Sequence, residues 1–61
     1  MPVIKIDCNK LTQEQKRELI KSVTEVSSRI MQLPESTITI ILREVEADDV
    51  GVGGKLLCDI H

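Results

Sequence analysis

A proline stands second in this 61-residue chain, directly behind the initiator methionine. If Met1 is removed, the Pro2 nitrogen is a secondary amine, a base or nucleophile at the head of a strand. If Met1 stays, the same nitrogen is a tertiary amide with neither basicity nor a proton. Composition gives it no role, since one residue in about twenty is proline. The other reactive groups are sparse. Cys8 would need a nearby histidine or cation to become a nucleophile. The one histidine is the terminal His61, expected to be mobile, so a buried, inert thiol is expected at Cys8. The acidic pairs Glu44/Glu46 and Asp48/Asp49 could serve acid–base chemistry, but a solvated turn accounts for them. Two cysteines and one histidine are too few for a zinc site of standard spacing. Gly51, Gly53 and Gly54 could offer amides to an anion, yet neither a Lys-Ser/Thr pair nor a helix start follows, and a hairpin turn is the simpler reading.

The elements that must position these groups follow from periodicity. Residues 2–8 alternate, with Ile4, Ile6 and Cys8 set against Lys5 and Asp7, the pattern of a half-buried strand. Proline is acceptable at a strand's first position because it need not donate to the ladder. Thr12 opens a helix with Gln15 three residues on, a capping box, and Glu14 suits the positive end of its dipole. Leu19, Val23, Val26, Ile30 and Leu33 recur at spacings of four and three, predicting one apolar helix face. Pro34 ends the helix by restricting Leu33. Residues 38–45 read as a second strand, with Ile38, Ile40 and Leu42 on one face and Thr39, Ile41, Arg43 and Val45 on the other. A strand, a long helix and a strand form a β-α-β unit with parallel strands. A short glycine-punctuated hairpin and an apolar tail, residues 55–60, close what is expected to be a single α/β domain over 1–61.

Size and composition limit the partners. With no Phe, Tyr or Trp, the core rests on Ile, Val, Leu and Met, and a chain this short is near the lower limit for folding alone. One helix covers one sheet face, leaving Ile41 and Val45 on the other, so self-association is expected. A net charge of −2 without a basic stripe or aromatic residues argues against nucleic acid. The longest apolar run is too short for a membrane span. With no secretory signal pattern recognised at its start, the chain reads as cytoplasmic.

The chain as a whole resembles the 4-oxalocrotonate tautomerase family. The likeness runs through Pro2 after Met1, the first strand, Thr12-Gln13-Glu14-Gln15-Lys16 opening the helix, Leu33-Pro34 closing it, the second strand, and Gly51-Val52-Gly53-Gly54-Lys55. It implies the tautomerase fold: a β-α-β subunit whose sheet is completed in a dimer, three dimers forming a homohexamer. It also implies a cofactor-independent, metal-free isomerase in which Pro2 is the general base. That base moves a proton between the enol and keto forms of an unsaturated 2-hydroxy or 2-oxo acid, as in aromatic compound degradation. Val50 stands where the family has an aromatic wall. The family's two substrate-binding arginines fall on Leu11 and Thr39, with the first loop one residue shorter, and neither side chain replaces a guanidinium. Lys10 and Arg43 are the cations left to hold a substrate carboxylate. Val52 stands where dehalogenase relatives carry an acidic residue. The other reading is an oligomeric scaffold whose catalytic site has decayed.

Overall fold

The computed structural model describes residues 1–60, so the expectation for His61 lies outside them. Strand β1 (Val3–Cys8) leads to helix α1 (Gln13–Met31), and β2 (Thr39–Glu44) returns parallel to β1. A two-stranded antiparallel hairpin, β3 (Gly51–Val52) and β4 (Lys55–Leu56), follows. This is the expected β-α-β unit with a short C-terminal hairpin.

The register sets Val3 beside Thr39 and Cys8 beside Glu44. Hydrogen bonds run one step past each end: the Thr39 amide donates to the Pro2 carbonyl at 3.1 Å, and the Val45 amide to the Cys8 carbonyl at 2.8 Å. β2 is therefore a residue shorter at each end than its apolar run, although Ile38 and Val45 are half-buried. Alternation holds on the helix-facing side, where Pro2, Ile4, Ile6 and Cys8 of the first strand and Ile38, Ile40 and Leu42 of the second are half-buried. Cys8 is thus a free, half-buried thiol within the chain rather than a buried one.

The capping box forms as read. Thr12 Oγ1 accepts from the Gln15 amide at 3.1 Å, and Gln15 Oε1 accepts from the Thr12 amide at 2.9 Å. The far end stops earlier than Pro34 alone requires. Gln32 adopts a left-handed conformation with φ of 57°, and the amides of Gln32 and Leu33 both donate to the Ser28 carbonyl. These are the bonds of a Schellman-type stop, a place where glycine is usual. In the hairpin, Gly53 and Gly54 carry φ of 60° and 85°. They form the two-residue loop between the paired Val52 and Lys55. Positive φ at both positions is the signature of a type I′ turn, whose twist matches the strands it joins.

The apolar helix face is only partly covered. Leu19 and Val23 are half-buried, but Ile30 is 70% exposed and Val26 39%. The cause is length: a 19-residue helix spans about 28 Å, whereas a six-residue strand spans about 20 Å. The helix is therefore longer than the two-strand sheet it packs on. Among the described residues none is fully buried. The radius of gyration is 14.7 Å, against about 10.5 Å for a compact chain of this length. The accessible surface of 4975 Å² exceeds by about 1,000 Å² that of a compact monomer of this mass. The open sheet face carries Val3, Lys5, Asp7, Thr39, Ile41 and Arg43, all exposed.

Candidate active site

Parallel pairing brings the segment ahead of β2 to the start of β1, and so to Pro2. The 3-10 turn Glu35–Thr37 lies there, closed by amide bonds from Thr37 to the Pro34 carbonyl and from Ile38 to the Glu35 carbonyl, both 3.1 Å. Pro2 is half-buried, and its carbonyl is fixed by the Thr39 amide. A cleft of about 380 Å³ opens beside it, lined by Met1, Pro2, Leu33, Ser36 and Thr37. The Thr37 hydroxyl donates to the Pro34 carbonyl at 2.7 Å, while among the described residues the Ser36 hydroxyl has no hydrogen-bond partner. A nitrogen that can be freed as an amine, an apolar wall and two hydroxyls share this cleft. Two other concavities of similar volume do not include Pro2. One lies on the solvent side of α1 among charged residues. The other lies on the open sheet face between Lys5, Asp7, Ile41 and Arg43.

The remaining site residues expected from the sequence lie elsewhere in the chain. Lys10 follows the far end of β1, so about 20 Å of strand separates it from Pro2. Arg43 pairs with Asp7 in the register, and its Nε donates to Asp7 Oδ1 at 2.8 Å on the open sheet face. Val50 comes after the end of β2 and passes its carbonyl to the Leu57 amide at 2.7 Å, within the C-terminal hairpin region. A single chain therefore does not bring Lys10, Arg43 or Val50 to its own Pro2. Leu33, Ser36 and Thr37 do meet Pro2. No side-chain motif marks them, but the strand register does, because it places whatever precedes β2 at the head of β1.

Glu44 also has a part that its acidic neighbours in the sequence obscured. Its Oε2 accepts from the Leu11 amide at 2.8 Å, and its Oε1 pairs with Lys16 Nζ at 3.2 Å. It ties the short β1–α1 loop, including the position where the resemblance expects an arginine, to the end of β2. The Leu11 amide first, then the Lys16 ammonium and the field of Lys10, hold its carboxyl below the ordinary carboxylate value, while burial acts weakly the other way. Among the described residues no group of three or more His, Cys, Asp or Glu side chains is placed to hold a metal ion. No helix there is long and apolar enough to cross a membrane.

A β-α-β subunit with parallel strands and a short C-terminal antiparallel hairpin has the tautomerase fold. The family model "Tautomerase enzyme" matches residues 2–60, and the chain belongs to this family. It is 43% identical over 49 residues to a probable tautomerase of Listeria monocytogenes, covering 80% of each chain. Among solved structures, it superposes on DmpI from Archaeoglobus fulgidus with a TM-score of 0.87 and 41% identity, covering 95% of this chain and 100% of that one. It superposes on YwhB, a homologue of 4-oxalocrotonate tautomerase, with a TM-score of 0.90 and 31% identity, covering 98% and 100%.

Proposed function

We propose that the protein is an isomerase that moves a proton between the enol and keto forms of an unsaturated 2-hydroxy or 2-oxo acid. Pro2 is the general base once Met1 has been removed. The observation that carries this reading is the position of Pro2 in a chain of the tautomerase family. Its carbonyl is locked by the Thr39 amide, and its ring lies in an apolar cleft with Leu33. An unperturbed α-amino group titrates at roughly 7.7–8.0. Apolar surroundings disfavour the ammonium form and lower that value. The amine is then neutral near pH 7, where proton abstraction needs it.

The substrate carboxylate requires a cation that the Pro2 cleft of one chain does not contain. Lys10 is exposed and lies at the end of the subunit opposite Pro2. In the proposed assembly, Lys10 of a neighbouring subunit supplies the cation and Val50 of a neighbour supplies an apolar wall. Arg43, already paired with Asp7, is the second candidate and would have to exchange that partner for the substrate. The assembly proposed is a homohexamer built as a trimer of dimers. The uncovered sheet face, the exposed Val26 and Ile30 of the helix and the surface excess support self-association. Neither a cofactor nor a metal takes part in the proposed proton transfer.

The test is turnover of a 2-hydroxydienoate by protein shown by intact mass to lack Met1. Pro2→Ala should lower kcat/KM by about 10²- to 10⁴-fold. Unchanged turnover in that variant sinks the reading and leaves the scaffold role.

A further inference from the structure

We infer that the Ser36 hydroxyl is a second catalytic group of the Pro2 cleft, donating a hydrogen bond to the substrate oxygen on which charge develops. The inference rests on the proposed role of Pro2 and adds to it the group that receives the displaced electrons. When the amine takes the proton from the carbon next to the carbonyl of a 2-oxo acid, the C–H electron pair becomes the C=C bond of an enolate and the carbonyl π pair moves onto oxygen. From a 2-hydroxydienoate it takes the O–H proton, whose bonding pair stays on oxygen and leaves the same enolate. Pro2 returns the proton to the conjugated carbon, and the oxygen becomes a carbonyl again. That oxygen needs a donor during the step, since stabilising charge where it develops is a large contribution to catalysis.

Side chains at the cleft leave one candidate. Met1, Pro2 and Leu33 have no side-chain donor. Thr37 spends its hydroxyl proton on the Pro34 carbonyl at 2.7 Å. Ser36, on the same 3-10 turn, lines the cleft with Pro2 and has no intramolecular partner among the described residues. A serine hydroxyl rotates to suit its acceptor and offers one proton. Leu11 and Thr39 stand where the resemblance expects guanidinium groups, so a neutral donor within the cleft takes on more of the work of polarising the carbonyl. The turn is held by its own backbone bonds to Pro34 and Glu35, which keeps Ser36 in place without using its side chain.

The experiment compares wild type, Ser36→Ala, Ser36→Thr and Pro2→Ala, all with Met1 removed, in the conversion of a 2-hydroxydienoate and in α-proton exchange of a 2-oxo acid in D2O. Ser36→Ala should lose on the order of 10- to 100-fold in kcat with KM within about twofold, because the bond strengthens only as charge develops. The acidic limb of its pH profile should stay where wild type has it, since that limb belongs to Pro2. Ser36→Thr, which keeps a hydroxyl, should recover much of the loss. Equal kcat in Ser36→Ala and wild type, or a change confined to KM, overturns the Ser36 assignment while a dead Pro2→Ala leaves the proline base standing. Full activity in Pro2→Ala, or no exchange by wild type, removes the proline base and the Ser36 role with it.

Discussion

Tenfold dilution should lower the melting temperature of this protein by about 6 °C if the folded unit is a dimer and by about 10 °C if it is a hexamer. Near 60 °C, unfolding gains roughly 2.1 cal/mol/K per residue, or about 130 cal/mol/K for a 61-residue chain. A tenfold change in concentration is worth about 1.5 kcal/mol at that temperature for each chain released beyond the first. A dimer sets one such increment against the entropy of two chains, and a hexamer sets five against six. The expectation that folding and association are one process comes from the single chain. Among its described residues none is fully buried, and its surface excess of about 1,000 Å² matches the area each partner gives to a stable interface. With no aromatic residue, the melt is followed by far-ultraviolet circular dichroism of α1, with concentration taken from peptide absorbance. Replacing Ile41, 47% exposed at the centre of the open sheet face, with glutamate should shift the protein to smaller, less stable species. Activity should fall with it, because Lys10 and Pro2 of one chain lie at opposite ends of the subunit. A melting temperature unchanged over two successive tenfold dilutions, together with a monomeric mass in sedimentation, would refute the reasoning.

Three further expectations concern single side chains. Gln32→Gly should raise stability by about 0.5–1 kcal/mol, measured by urea unfolding, because φ of 57° strains a residue with a Cβ and suits glycine. Glu44 has a lowered folded-state value, so its stabilising contribution is present above the ordinary 4.5 and is lost as pH falls through that lower value. The difference in urea midpoint between wild type and Glu44→Gln should therefore shrink on acidification below that point, and a gap constant with pH would contradict the assignment. Lys10→Ala should raise KM for a carboxylate substrate about fivefold with kcat little changed, an effect that added salt diminishes, as for any exposed ion pair.

The local signals were legible because each depends on near neighbours in the chain. Thr12 and Gln15 cap the helix through bonds three residues apart, and Gly53-Gly54 forms a turn that needs positive φ at both positions. Alternation along β1 set the faces of Ile4, Ile6 and Cys8 correctly. The helix stripe misled at one end. Val26 and Ile30 keep the periodicity of a core but stay 39% and 70% exposed, because two strands are too small a surface to cover the whole stripe, which no single segment reveals. Glu44 looked like one of several solvated acids until the fold brought Leu11 and Lys16 to it.

By itself the sequence determined the order and type of the main elements, the capping box that opens the helix, the glycine turn of the hairpin, and the proline that heads the first strand. Short-range sterics and hydrogen bonding act within a few residues and can be read there. Tertiary structure alone decided what stands around that proline. Parallel pairing of β1 with β2 folds residues 33–37 onto the start of β1 and sends Lys10, Arg43 and Val50 toward the other end. Contact between residues more than thirty positions apart depends on strand register and direction.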